Sequence, residues 1–190
     1  SVANTNWSFG TGDFTVAFWE KINPTKRGGV HNFGTWSANN GWGFYVESTG
    51  AVTFTKNGAD IANDASVIVN DGSFKRLIWT RAGSNNTLWI NGIAIFSFTD
   101  STDFSYAGAL VVGNVILDVA ANNITIDDLQ IYKGYAWNVA DVTLDWNNGA
   151  GREWKLNGLS VYLNRPSKNS ATTEPTIMFN STVSPANNAT

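Results

Sequence analysis

The sequence predicts an all-β fold, a two-sheet antiparallel jelly-roll sandwich with an extended C-terminal arm. Three observations carry this. Short apolar runs recur between Phe14 and Tyr132, separated by turns rich in Gly, Asn and Asp. Asn91-Gly92 sits between two alternating apolar runs, the strongest short-range hairpin signal, because a type I′ turn needs positive φ at both positions. No stretch sustains helical periodicity, and Val139–Trp146 is the one candidate for a short helix.

In chain order, Phe9-Gly10-Thr11-Gly12 reads as a turn and Asp13–Trp19 as a strand. Phe14, Val16 and Phe18 fall on one face of it, Ala17 and Trp19 on the other. A strand apolar on both faces is expected to be central and buried. Asn23-Pro24 ends it. Residues 28–40 read as a loop rich in Gly and Asn. Trp42–Val46 and Ala51–Thr55 form a predicted hairpin around Ser48-Thr49-Gly50, and 56–66 reads as a polar loop. A short strand is expected at Val67–Val69, then strands at Phe74–Arg81, Thr87–Ile90 and Ile93–Phe98. Leu110–Val112 and Val115–Leu117 flank Gly113-Asn114 as another hairpin. From Gly158 the chain turns to Ser, Thr, Asn and Pro, with short strands expected at Leu159–Leu163 and Thr176–Phe179. The expected division is therefore a domain over 1–157 and an arm or linker over 158–190.

Residues 123–135, NITIDDLQIYKGY, hold an internal conflict. Ile124 and Ile126 share one strand face, while Leu129 and Ile131 have the opposite parity. A β-bulge at Asp127-Asp128 would restore a single apolar face. Two carboxylates inside an apolar strand then need partners. Backbone amides or a calcium ion could supply them.

Composition narrows the function. Charged residues are 14% of 190, against the usual ~25%, so neutral polar residues must cover the solvent faces. That suits neutral partners such as sugars, or packing into an assembly. The net charge of −3 and the lack of a basic stripe argue against nucleic acid. Cysteine is absent, which excludes disulfides and thiolate metal sites. No run reaches the ~18 apolar residues of a membrane-spanning helix, so membrane insertion is not expected. A start at Ser1 suggests a processed product or a piece of something longer. The sequons at Asn6, Asn85, Asn123, Asn180 and Asn188 matter only in a secretory host.

Four stretches in order resemble the laminin-G-like, concanavalin A-like lectin family: GDFTVAFW (12–19), FKRLIWTRAGSNNTLWINGIAI (74–95), ALVVGN (109–114) and IDDLQIYKGYAWNVADV (126–142), with DWNNG (145–149) fitting the domain end. The resemblance covers roughly 5–150 and speaks to fold more than to function. It implies a module that binds glycans or proteins through loops on one rim or through the concave face. The family normally has an additional N-terminal strand, which Ser1–Thr5 is expected to be too short to supply. The resemblance therefore leaves an edge to be filled by the C-terminal arm or by another chain. IDDLQIYKG is also similar to closing strands of phage tail and capsid jelly rolls, which implies a virion-surface or extracellular location and other subunits as partners.

For a sugar, His31, Phe33, Trp36 and Trp42 amid Asn32, Asn39 and Asn40 form the best expected platform, combining aromatic planes with neutral hydrogen bonders. The competing reading puts Trp36 and Trp42 into the core or uses them to anchor the loop. Trp137 and Trp154 are secondary candidates. The resemblance also implies a structural calcium at Asp127 or Asp128, against the reading that these acids cap backbone amides. His31 is the single histidine, so a His-based metal centre is not expected. Related glycosidases carry clustered acids, E-x-D-x-x-E, on one strand. Here Glu20, Glu47, Glu153 and Glu174 stand alone, and no G-x-S-x-G elbow exists. The expectation is a non-catalytic recognition or adhesion module. The alternative is an accessory or catalytic domain of a glycan-degrading enzyme.

Overall fold

The computed structural model describes residues 6–32, 40–113 and 124–151, together with the backbone of three C-terminal strands. In chain order the elements are β1 (Phe14–Ile22), β2 (Gly28–His31), β3 (Trp42–Val46), β4 (Val52–Lys56), β5 (Ala59–Asp64), β6 (Phe74–Ala82), β7 (Asn85–Ile90), β8 (Ile93–Thr99), β9 (Val111–Val112), β10 (Ile124–Lys133) and α1 (Val139–Trp146). They are followed by β11 (Trp154–Leu156), β12 (Leu159–Leu163) and β13 (Ile177–Phe179).

Two five-stranded antiparallel sheets face each other, ordered β10-β1-β6-β7-β8 and β5-β4-β3-β2-β9. β11, β12 and β13 form a separate three-stranded sheet, in which Leu156 pairs with Leu159. The core lies between the two large sheets. Phe14, Val16, Phe18, Leu77, Trp79, Leu88 and Ile90 meet Val30, Trp42, Phe44, Val46, Val52 and Phe54. Trp79 is its hub, with ring centroids 4.7 Å from Phe14, 5.0 Å from Phe54 and 5.7 Å from Phe104. A smaller apolar cluster of Ala17, Ile78, Trp89, Trp137 and Val142 joins the outer face of the first sheet to α1. This is why β1 is apolar on both faces, and it is buried at every position except Lys21.

The bulge in β10 is present. Ala17 pairs with Gln130 and Trp19 with Asp127, so Phe18 faces two residues of β10. Asp128 takes the left-handed conformation, φ 48°. The change of parity lets Ile124, Ile126, Leu129 and Ile131 all pack against the one core. α1 starts at Asn138, whose side chain accepts from the Ala140 and Asp141 amides, while Asp141 accepts from the Asn138 amide. This reciprocal cap fixes the first turn.

Three expectations need correction. Gly28–His31 is a strand, not loop: at Gly29, φ 151°, a side chain would collide with Tyr45 on β3. The polar stretch 59–64 is the edge strand β5, turned back on β4 at Asn57-Gly58 with φ 51° and 72°. Val67–Val69 is not a strand; Val69 donates to the Gly50 carbonyl, closing a loop. Val115–Leu117, the other half of the expected hairpin, lies outside the described residues; Val111–Val112 pairs with β2.

Candidate functional site

At the end of the sandwich where β1 begins, three segments distant in sequence meet. Asn32, fully buried, ties them together. Its side-chain amide donates to the carbonyls of Tyr106 (2.8 Å) and Trp7 (3.3 Å), and its oxygen accepts from the Trp42 amide (2.8 Å). Arg81 does the same for the neighbouring turns, donating to the carbonyls of Gly83, Thr102 and Thr11. Its guanidinium lies over Phe104, 5.4 Å from the ring centre. Burial lowers the Arg81 pKa, and Asp100, Asp13 and Asp103 oppose that shift. A buried cation satisfied by carbonyls holds the loops without consuming their side chains.

On this frame sits a rim of neutral polar and aromatic groups gathered around the Asp103 carboxylate. Asn40, half-buried, donates to Ser105 Oγ (3.2 Å) and Asp103 Oδ2 (3.5 Å), and Ser105 donates to Asp103 (3.1 Å). Trp7 and Tyr106 are partly exposed beside it, with Trp7 Nε1 donating to the Gly108 carbonyl at 2.6 Å. Trp7 and Tyr106 were not among the expected site residues. Their placement depends on Asn32, an asparagine of the expected loop whose long-range hydrogen bonds no local pattern reveals.

The expected platform is only partly here. Trp42 is not a surface ring: it is fully buried, stacked on Phe9 (5.2 Å), with its Nε1 donating to the Trp7 carbonyl. The large apolar ring that makes tryptophan attractive as a stacking plane also makes it a core residue. His31 is fully buried too, opposite Gly43 on the outward face of the second sheet, out of reach of a ligand in solvent. Tyr45, Thr53 and Thr55 share that outward face and are buried. Among the described residues, these four side chains therefore offer no open surface to a ligand. Phe33, Trp36 and Asn39 lie outside the described residues. Trp137 is buried against α1, and Trp154 falls on β11.

The acids of β10 have protein partners. Asp127 accepts from the Asp128 amide at 2.7 Å, which caps the bulge. Asp128 accepts from Gln130 Nε2 (2.9 Å) and lies 3.4 Å from Arg76 Nη1. Arg76, fully buried on β6, makes two parallel bonds to Asp145 of α1, Nε–Oδ2 2.6 Å and Nη2–Oδ1 2.9 Å, and a third to the Asp128 carbonyl. Asp128 and Asp145 thus converge on a guanidinium rather than on a cleft. They do not form the pair of solvent-reachable carboxyls, about 5 Å or more apart, that glycoside hydrolysis needs. Nor do they fit calcium: a cation at Asp128 would face Arg76, and six to eight oxygens are required. Among the described residues no three His, Cys, Asp or Glu side chains gather as a metal site.

Residues 1–143 match the family model of the concanavalin A-like lectin/glucanases superfamily, of laminin-G type. The chain belongs to that family. No curated protein matches it. Among solved structures it is similar to the botulinum neurotoxin serotype D binding domain, with TM-score 0.57 and 15% identity over 79% of this chain and 40% of that one. It is also similar to the binding domain of botulinum neurotoxin DC in complex with rat synaptotagmin II, with TM-score 0.55 and 17% identity over 75% and 37%. A third is domain 4 of AbnA, a GH43 extracellular arabinanase from Geobacillus stearothermophilus in complex with arabinotriose, with TM-score 0.55 and 18% identity over 70% and 65%. The chain spans about two fifths of the toxin structures it matches. At these identities the likeness establishes the fold.

Proposed function

We propose that the chain is a non-catalytic recognition module that binds carbohydrate at the rim around Asn40 and is displayed on a virion, as capsid decoration or tail fibre, or on a cell surface. One observation carries the reading. Asn40, Ser105, Trp7 and Tyr106 put neutral hydrogen bonders beside partly exposed aromatic rings, on loops held by buried Asn32 and Arg81. A sugar needs both, an apolar plane for its C–H face and neutral partners for its hydroxyls. The arabinotriose complex of AbnA domain 4 supports carbohydrate as a ligand for this fold, and the synaptotagmin complex supports recognition in general. Low charge supports close packing with other subunits of a surface assembly.

A glycan array tests this. Tyr106→Ala is expected to weaken the hits while leaving the melting midpoint within a few degrees. An intact fold with no glycan hit rejects the sugar reading. Immunogold labelling of native particles tests the location. A second reading, an accessory or catalytic domain of a glycan-degrading enzyme, is favoured by the lectin/glucanase membership. Release of reducing ends from β-glucans would establish its catalytic form. The guanidinium-locked acids support the non-catalytic form.

A further inference from the structure

At the opposite end of the first sheet, where β1 finishes, a cavity of ≈ 230 Å³ opens between Lys21, Gly72, Ser73, Phe74, Lys75 and Asn91. Its lining residues include two lysines and no acid. Lys75 already has a counter-charge: Asp71, outside the lining, holds it at Nζ–Oδ2 2.7 Å while also accepting from Ser73, and on the ladder Lys75 sits opposite Glu20, on the other face of the sheet from Lys21 and Phe74. Asn91 is oriented too: its oxygen accepts from the Arg76 amide at 3.0 Å, so its NH₂ is the group left to donate. In a chain of net charge −3, this cavity has a local excess of one positive charge.

One wall is aromatic. Phe74 pairs with Lys21 across the β1–β6 ladder, and Lys21 Nζ lies 5.8 Å from the Phe74 ring centre. The cavity thus combines an aromatic wall, one cation not already paired with an acid, and an amide donor. An inorganic anion would use only the cation. A neutral sugar would leave it without a counter-charge. A sugar bearing a carboxylate uses the cation and the ring. The volume falls below the roughly 300–1,000 Å³ of sites for drug-sized ligands, which suits a single ring.

We propose that this cavity is a second saccharide site, selective for one acidic sugar residue of the uronate class. In it the carboxylate meets Lys21, and the ring lies against Phe74. The proposal extends the recognition reading to a second place and does not require the Asn40 rim.

The test is calorimetric titration of the whole chain with tetragalacturonate, with its carboxyl-reduced neutral counterpart, and with sodium phosphate. Tetragalacturonate is expected to bind at least 10-fold more tightly than either of the others, and more weakly as salt rises. Lys21→Gln is expected to lose 10-fold or more. Lys21→Arg, which keeps the charge and controls for folding, should retain most of the binding. Tyr106→Ala should leave this binding unchanged. Phosphate binding as tightly with the same Lys21 dependence would reduce the cavity to a general anion site and overturn the sugar assignment. Binding that ignores Lys21 but falls with Tyr106→Ala would overturn the second site while supporting the rim. No binding by tetragalacturonate, with an intact fold, would overturn the proposal without touching neutral-glycan hits at the rim.

Discussion

Glu20 of β1 points directly at Gly28 of β2, across the gap between the two sheets. A methyl group on Gly28 would run into the Glu20 carboxyl, with Ile124 of β10 closing the third side at 3.1 Å. Glu20 shares the inner face of β1 with Phe18 and Ile22, is 1% exposed, and neither of its oxygens accepts a hydrogen bond. Burial raises its pKa from 4.5 to about 8, so at neutral pH it is held as the neutral acid. The folded protein keeps this proton at pH values where the unfolded chain has lost it. Its contribution to stability is therefore greatest below pH 4.5, declines as pH rises from there, and is gone once pH passes about 8. At roughly 1.4 kcal/mol per pH unit, Glu20 should cost the fold up to about 4 kcal/mol between pH 5 and pH 8. Denaturant melts across that range are expected to show the decline, and Glu20→Gln should flatten it. A wild-type profile as flat as that of Glu20→Gln would refute this role.

Gly28→Ala tests the same contact from the other sheet. The added methyl group must displace Glu20 or Ile124, and overpacking of this kind costs about 1–3 kcal/mol. Combined with Glu20→Ala, which opens the space, Gly28→Ala should cost markedly less. A double-mutant cycle with no coupling would mean that the two residues do not meet.

How much of this was legible follows from residue patterns. FTVAFWEKI announces a strand buried on both sides, and the switch of parity at Asp127-Asp128 announces the bulge. Phe14, Val16, Phe18 and Ile22 also place Glu20 on the core face, so its burial could be read by simple alternation. β2 escaped because GGVH lacks side chains to alternate, and β5 because ADIAND is a polar edge strand. The Asn57-Gly58 turn was the same signal as Asn91-Gly92 and should have exposed β5. The rim was illegible for another reason. Asn40 meets Ser105, and Asn32 meets Tyr106, across more than sixty residues of chain, and only the closed sandwich brings them together.

The Arg76–Asp145 pair welds α1 to the first sheet. Both groups are buried, and Trp19 stacks on Trp146 at 5.4 Å alongside. Asp145→Ala leaves a buried guanidinium with only Asp128 as counter-charge. Breaking a buried pair from one side costs about 3–5 kcal/mol. Chemical denaturation should show a loss of that size, and hydrogen exchange in α1 should rise. Arg76→Met with Asp145→Leu, which removes both charges, should recover much of it. A loss below about 1 kcal/mol for Asp145→Ala would mean that the pair contributes little to docking the helix.

Calcium gives the last prediction. A site with a dissociation constant near 10 μM would, at 1 mM calcium, stabilise the fold by about 2.7 kcal/mol. For a protein of this size such a gain moves the melting midpoint by several degrees, well within reach of a scan. Asp127 Oδ1 already accepts from the Asp128 amide, and Asp128 Oδ2 accepts from Gln130 and lies against Arg76. Calcium would have to displace a buried guanidinium that also holds Asp145. Melts in EDTA and in 1 mM calcium are therefore expected to coincide. Asp128→Asn keeps a residue tolerant of the left-handed backbone at φ 48°. It should lower the midpoint equally in both buffers, because what it loses is charge opposite Arg76. A calcium-dependent rise that vanishes in Asp128→Asn would place the ion at the bulge and require Arg76 to move aside.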